Sequence, residues 1–369
     1  MKKTIVQILP ALEYGGVERG TLEVAAELVK QKHRSIVISG SGRLVPQLIK
    51  EGSEHINLPV GKKSFFCFRF IRILQTIFEE EKVDIVHARS RLPAWLSFLA
   101  LKKIKKQNKP FFVTTVHGPY SINRYSSIMT KGDCVIAISN YIKKYITDNY
   151  PSANKKNITV IHRGIDKNKF PFGFSPTNDW LVDWNKNKYY SNEKFIITLP
   201  ARITRWKGHI DFIKIVTKLH NLGLNVHGLF VGGVDNKKEN YFLELKKLIL
   251  KFNVQENFTF LGHRDDIREI MAKSNIVLSL AKVPEAFGRT ALEALSIGVP
   301  VVAYNHGGAA EVLSELFPEG KVSPHDINGV VSKVESFYTN TPRVKNINTF
   351  TLDKMLGKTL KVYTSLTGD

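Results

Sequence analysis

A chain of 369 residues with 43% hydrophobic and 24% charged side chains is long enough for two globular domains and excludes a disordered or fibrous protein. Its two cysteines, Cys67 and Cys134, exclude a disulfide framework and a cysteine metal cluster, and fit a reducing cytoplasm. The net charge of +21 is concentrated in residues 1–166, which carry 27 Lys and Arg against 13 Asp and Glu. Such a bias implies an anionic partner: nucleic acid, a phosphorylated substrate or an anionic membrane face; a lysine-rich surface without a partner is the plainer alternative.

Met1-Lys-Lys-Thr-Ile-Val-Gln-Ile-Leu-Pro10 has too short an apolar run for a signal peptide and reads as a first strand over Thr4–Leu9. Strands follow at Ser35–Ser39, Ile85–Ala88, Phe111–Val116, Cys134–Ser139 and Thr159–His162, with helices at Gly20–Gln31, Phe68–Glu81, Leu92–Lys105 and Asn140–Asn149. Residues 166–194, rich in Pro, Asn, Trp and Tyr, have little periodicity and read as a linker. The alternation resumes with strands at Phe195–Pro200, Val226–Val231, Phe258–Leu261, Ile276–Leu280 and Val299–Tyr304. Helices at His209–Asn221, Tyr241–Phe252, Ile267–Ala272 and Arg289–Ser296 separate them, and Thr351–Leu366 has helical spacing. Strand–helix alternation in both halves predicts an α/β protein with two doubly wound, mostly parallel sheets. No segment offers the ~20 apolar residues of a membrane-spanning helix.

The segment Glu285-Ala-Phe-Gly-Arg-Thr-Ala-Leu-Glu293 places two carboxylates eight positions apart around a helix start. Over eight helical positions, at ~1.5 Å each, the chain rises ~12 Å and returns to within about 80° of the same face. The backbone N–H groups from Gly288 to Thr290 would be unpaired at that helix start and would point at an anion. A hexose near Glu285, a diphosphate over the helix start and a ribose near Glu293 match that span, which is the layout of a nucleotide sugar. Two ordinary surface glutamates on an amphipathic helix are the alternative.

Further segments carry a resemblance. Gly15-Gly16-Val-Glu-Arg19 follows the first strand, Thr115-Val-His117-Gly118 the fourth, and Ile161-His-Arg-Gly164-Ile-Asp166 precedes the linker. Pro200-Ala-Arg202-Ile-Thr-Arg-Trp-Lys207-Gly208 opens the second half, and Gly307-Gly308-Ala-Ala-Glu311 follows the Glu pair. In this order the chain resembles the retaining GT-B glycosyltransferases of family 4 (glycosyl transferases group 1). Within that family it looks most like the bacterial enzymes of lipopolysaccharide core and other surface glycans. Arg89-Ser-Arg91-Leu-Pro-Ala-Trp95 and the Arg-Trp-Lys-Gly form of the second-half loop suggest that branch.

The resemblance implies a GT-B fold, two Rossmann-like doubly wound domains facing across a cleft. It implies an acceptor-binding domain over 1–166, a linker over 167–194, a nucleotide-sugar domain over 195–345 and a terminal helix in 346–369 returning to the first domain. Arg202 and Lys207 would hold the donor diphosphate, where fixed cations stabilise the charge that grows as the phosphate departs. Glu285 would lie by the transferred sugar, Glu293 would accept from the ribose hydroxyls, and Phe287, Gly288, Arg289 and Thr290 would line sugar and phosphate. His117 would face the sugar, Gly15 and Gly16 would let the first loop approach the donor, and Arg264, with His263, would lie by the base. Retention also follows from the resemblance: a front-face transfer in which the leaving phosphate helps deprotonate the acceptor hydroxyl, without the carboxylate pair of glycosidases.

No cofactor is expected: the nucleotide sugar, UDP- or GDP-linked, is a co-substrate. No Asp-x-Asp pair follows a strand where a metal would sit, so none is expected. Arg89, Arg91 and Arg124, with Lys62 and Lys63, fall in predicted loops of the first domain and suit a phosphorylated or carboxylated glycolipid or glycan acceptor. Lys62 to Phe70 mixes cations with aromatic rings, and Trp95, Phe98 and Leu99 lead into Lys102-Lys-Ile-Lys-Lys106. These segments suggest a cytoplasmic enzyme held peripherally on the anionic inner membrane. A transferase with a soluble acceptor and a nucleotide-sugar epimerase are alternatives among enzymes. A basic nucleic-acid-binding protein is the alternative outside them, although no recognition helix, zinc or RNA-binding motif supports a nucleic-acid partner.

Overall fold

Most strands of this protein are short, mainly apolar runs because both faces of each sheet are covered by helices, a parallel-sheet pattern. The computed structural model describes residues 2–62, 64–186, 194–234, 238–346 and 348–368, except for the side chains of 65 and 66. It divides into two compact units, one running to Arg163 and resuming at Asp353, the other spanning Gly164–Leu352. Lys63 and residues 187–193 of the expected linker lie outside the described residues.

The first unit is built on β1 (Thr4–Ile8), β2 (Arg34–Ser39), β3 (Glu54–Asn57), β4 (Ile85–Ala88), β5 (Phe111–Val116), β6 (Cys134–Ala137) and β7 (Ile158–Val160). Their order is β3-β2-β1-β4-β5-β6-β7, and every neighbouring pair is parallel. Helices α1 (Gly16–Lys30), α2 (Val45–Lys50), α3 (Arg69–Glu80), α4 (Arg91–Leu101) and α5 (Asn140–Asn149) connect them. The strand order reverses between β1 and β4, so a crevice is expected outside their carboxyl ends. Edge strand β3, of sequence Glu-His-Ile-Asn, has no apolar run and no fully buried residue, which is why its sequence does not read as a strand.

The second unit begins with α6 (Asn178–Asn185), whose Trp184 is buried against Ile196, Leu229, Val231 and Ile270. The segment expected as a linker is therefore in part a packed helix. Its sheet comprises β8 (Phe195–Pro200), β9 (Val226–Val231), β10 (Phe258–Gly262), β11 (Ile276–Ser279), β12 (Val301–Tyr304) and β13 (Lys321–Val322). The order β10-β9-β8-β11-β12-β13 is again wholly parallel, with the reversal between β8 and β11. Helices α7 (His209–Asn221), α8 (Glu239–Lys251), α9 (Ile267–Ala272), α10 (Arg289–Ser296), α11 (Gly307–Leu316) and α12 (Ile327–Thr339) cover it.

Helix α13 (Leu352–Thr367) belongs to the first unit from its second residue onward. Its Tyr363 Oη lies 2.6 Å from His87 Nδ1 on β4, while His87 Nε2 lies 2.6 Å from Thr115 Oγ1 on β5. No helix among the described residues is long and apolar enough to cross a membrane.

Candidate functional site

In the second unit the candidate residues gather at the reversal of strand order. Beyond β8 the chain runs through Arg202 to a single 3₁₀ turn, Arg205–Lys207; beyond β11 it reaches Glu285. A recess at the carboxyl ends of these two strands is lined by Pro200, Ala201, Lys207, Ala281, Glu285 and Thr290. Lys207 Nζ donates to Glu285 Oε1, with the two side chains only 20% and 14% exposed, and also lies 4.3 Å from the Trp206 ring centroid. A lysine ammonium has three protons, so Lys207 can hold Glu285 and still present donors to an anion. Arg202 is exposed, and no described residue pairs with it.

The turn bearing Lys207 is held from several directions. His209 Nδ1 lies 3.1 Å from Thr204 O and its Nε2 3.4 Å from Ala201 O. Burial holds that ring at a pKa of about 4, so it stays neutral. Lys282 N donates to Trp206 O at 2.7 Å, and its side chain pairs at 3.0 Å with Asp211, which also accepts from Tyr304 Oη at 3.0 Å. Gly208 closes the turn at φ +81, in the left-handed region, and a side chain there would collide with Leu280 O.

The Glu pair divides between loop and helix. Only Glu293 is on α10; Glu285 lies in the loop before it, so the helical rise estimated from the spacing applies to the second carboxylate alone. Gly288 caps α10 at φ +80, and a Cβ there would stand 2.5 Å from Ala309 Cα, so the loop can close on the start of α11 only with glycine. Gly308 N donates to Glu285 O at 2.7 Å and fixes the loop from the same helix. Thr290 lines the recess. Arg289 Nε donates to Glu293 Oε1 at 2.8 Å, one helical turn away. Phe287 turns inward, 5% exposed and edge-on to Phe350, so it offers a ligand backbone rather than ring. Arg264, after β10, is paired through Nε and Nη2 with both oxygens of Asp266, and His263 is exposed beside Asp265.

In the first unit the reversal point brings β1 and β4 together. Gly15 and Gly16 lead directly into α1, and Arg163 Nη2 donates to Gly16 O. Arg89, one residue beyond β4, is not the exposed loop cation that its sequence position suggests. It is 2% exposed, and its Nε donates to Gln7 Oε1 of β1 at 2.8 Å. Gln7, a fully buried polar residue within β1, supplies the acceptor that lets a guanidinium enter this layer. His117, one residue past β5, has both ring nitrogens enclosed without a partner among the described residues. Burial first, and then the charges of Arg163 and Arg89, push its pKa well below the ordinary value, leaving a neutral imidazole with one donor and one acceptor.

Arg91 is likewise engaged. Its guanidinium lies 5.0 Å from the Tyr120 ring centroid and 5.4 Å from that of Tyr125, and donates to Ser126 Oγ at 3.2 Å. It braces the segment after His117, whose Tyr125 O also accepts from Trp95 Nε1 at 2.8 Å. Arg124 stands exposed on that braced segment, and Lys62 is exposed as expected. Sequence reasoning overlooked Gln7, His209, Asp211 and Trp180. Only Gln7 and His209 carry a local signal, a polar residue inside an apolar strand and a histidine directly after the Lys-Gly turn.

Comparison with known proteins bears on the family and the fold. The family model "Glycosyltransferase Family 4" matches residues 14–169, and "Glycosyl transferases group 1" matches residues 183–351. A glycosyltransferase from Rickettsia africae ESF-5 is 33% identical and superposes with a TM-score of 0.86 over 99% of each chain. HepE of Anabaena, crystallised with UDP and glucose, is 17% identical with a TM-score of 0.80 over 98% of this chain and 100% of its own, a likeness of fold. Spore coat protein SA of Bacillus subtilis (strain 168) is 23% identical over 314 residues, 82% of this chain and 79% of that protein. With the two family models matched in tandem and a 33%-identical glycosyltransferase superposing over nearly the whole chain, this protein belongs to the group 1 glycosyltransferases and has their two-domain GT-B fold.

Proposed function

We propose that the protein moves a hexose, with retention of anomeric configuration, from a UDP- or GDP-sugar to a glycolipid or glycan acceptor. The observation that carries this reading is the recess outside β8 and β11, where Lys207, Glu285 and Thr290 converge at the reversal of strand order. Lys207 and Arg202 hold the donor diphosphate and stabilise the charge that develops as it leaves, so no metal is needed for that task. Glu285 accepts from a sugar hydroxyl while Lys207 fixes its carboxylate, an arrangement suited to holding rather than to nucleophilic attack. Glu293, oriented by Arg289, accepts from the ribose hydroxyls, and the backbone from Gly288 to Thr290 faces the phosphates. UDP as the nucleotide is favoured by the UDP complex of HepE.

In the first unit, Gly15 and Gly16 give the donor close access to the β1 loop. His117, neutral and without a partner among the described residues, hydrogen-bonds the sugar or the incoming hydroxyl. Arg124 takes the acceptor's anionic group. Arg89 and Arg91 serve that subsite through the elements they hold rather than as free loop cations. A role in lipopolysaccharide core or other surface-glycan assembly is supported by the Arg-Ser-Arg-Leu-Pro-Ala-Trp and Arg-Trp-Lys-Gly segments.

Thermal unfolding with UDP, GDP or ADP, in buffer containing a chelator, tests the donor assignment. UDP or GDP should raise the midpoint and single-stranded oligonucleotides should not. The reverse result would replace the transferase reading with a nucleic-acid one. A screen of nucleotide sugars read by hydrolysis then identifies the sugar, and an anomeric proton signal showing inversion would remove retention.

Peripheral attachment to the cytoplasmic face of the inner membrane is supported by the basic stretch at Lys102, Lys103, Lys105 and Lys106, all exposed, beside the half-buried rings of Trp95 and Phe98. The protein should co-sediment with phosphatidylglycerol vesicles and release as salt rises. No binding at low salt, or binding indifferent to salt, counts against it.

A further inference from the structure

The segment between the two sheets does more than join them. Helix α6 lies against the β9–β10 side of the second unit, with Trp180 and Trp184 stacked 4.8 Å apart. Trp184 is the buried anchor, and Trp180, half-buried above it, turns its indole N–H outward to Asp266 Oδ2 at 2.7 Å. Asp266 holds Arg264 as a fork, Oδ1 accepting from Nε at 2.7 Å and Oδ2 from Nη2 at 2.5 Å. The two donors hold the Asp266 carboxyl below its usual range, Arg264 more than Trp180. The same stretch is tied down nearby: the Arg268 guanidinium lies 3.9 Å from the Phe174 ring centroid, and its Nη1 donates to Lys169 O at 2.8 Å. Thus the loop after β10 is pinned from outside the sheet by residues 86 or more positions away in sequence.

A guanidinium on an exposed loop samples many rotamers, whereas a bidentate fork fixes its plane. The carboxylate that forms the fork is held in turn by its own backbone N–H and, from outside the loop, by Trp180. The guanidinium remains accessible, with Arg264 40% exposed by side chain.

We propose that Trp180 is a positioning residue for nucleotide recognition: through Asp266 it fixes Arg264 as a flat wall on which the donor's base stacks. This rests on the reading above that the second unit binds a nucleotide sugar and that Arg264 lies by its base. The wall acts on the base and not on the diphosphate, so Trp180 governs affinity for the nucleotide and not the chemical step.

Calorimetric titration with UDP and, separately, with inorganic pyrophosphate tests this on the full chain. Trp180→Phe, which keeps the stack on Trp184 but removes the N–H donor, should weaken UDP by about three- to tenfold and leave pyrophosphate within about twofold. Arg264→Ala should weaken UDP at least as much, and the double variant should be no weaker than Arg264→Ala alone, because both act through one contact. Asp266→Asn, which cannot accept the full fork, should resemble Trp180→Phe. In steady state, donor KM should rise while kcat stays within about twofold.

Wild-type UDP affinity in both Trp180→Phe and Asp266→Asn would overturn the proposal. So would an equal loss of pyrophosphate binding, which would indicate general damage to the unit. Lys207→Ala separates the two layers of argument. If it weakens both UDP and pyrophosphate while Trp180→Phe changes neither, the donor site stands and the positioning role falls. If the wild-type protein binds neither UDP nor GDP, both fall.

Discussion

Lys207→Ala is expected to lower turnover by about two to three orders of magnitude while the protein remains folded. In the proposed transfer, the bond between the sugar and the diphosphate breaks before the acceptor bond is complete, so negative charge accumulates on the departing phosphate. A cation fixed beside that oxygen interacts more strongly with the transition state than with the bound donor, and its loss appears mainly in kcat. The turn at 205–207 is fixed by Lys282 N on Trp206 O and by the His209 ring beneath it, so Lys207 needs little rearrangement to act.

The same substitution leaves Glu285 as a carboxylate only 14% exposed without its partner. That costs about 1–3 kcal/mol, or roughly 2–4 °C in Tm for each kcal/mol in a domain of this size. The double variant Lys207→Ala/Glu285→Ala should regain part of this stability without regaining turnover. Steady-state kinetics beside thermal unfolding separates the effects. Near-wild-type kcat in the single variant, or recovery of turnover in the double, would remove Lys207 from the diphosphate.

The strands were legible where both faces are buried, because β1, β8, β9 and β12 are apolar runs that only a covered parallel sheet accommodates. Strand β3 was not, since an edge strand with polar residues has no such signature. Within the site, short-range features were readable: Gly288 before α10, and the Arg202–Lys207 loop after β8. Features that depend on distant pairing were not. Nothing local to Trp180 points to Asp266, nor anything in Lys282 to Asp211. Arg89 shows the converse error. A cation after a strand reads as loop surface, but Gln7 across the β1–β4 pair supplies the acceptor that allows it inside. Arg91 reads as a loop cation for similar reasons, yet it opens α4 and is held between two tyrosine rings.

Acidification should destabilise both units well before their carboxylates protonate. His87 and His117 in the first unit, and His209 and His227 in the second, have their pKa values lowered, in each case chiefly by burial. For His209 and His227 the lowering reaches about 4. Unfolded histidines titrate near 6.5, so below that pH the unfolded chain binds more protons than the folded one. The stability is therefore complete above about pH 6.5 and is lost as pH falls toward the folded values, by up to ~1.4 kcal/mol per pH unit for each ring. Between pH 6.5 and 5 this amounts to roughly 1.5 kcal/mol for each of His209 and His227, together a substantial share of a typical 5–15 kcal/mol margin, and His87 and His117 act in the same direction. His87 shows the cause locally: its two nitrogens already meet Tyr363 Oη and Thr115 Oγ1, so a second ring proton would oblige a buried hydroxyl to reorient. Glu54 and Asp266, whose ion pairs lower their pKa values, add acid sensitivity only below the usual carboxylate range, which leaves the window from 6.5 to 5 to the histidines. Urea midpoints at pH 7.5 and 5.0, with proton uptake on unfolding measured at pH 5.5 in buffers of different ionisation enthalpy, read this directly. Uptake of at least two protons and a marked fall in midpoint are expected. A flat midpoint with uptake below one proton would mean that these rings are charged, or solvated, in the folded protein.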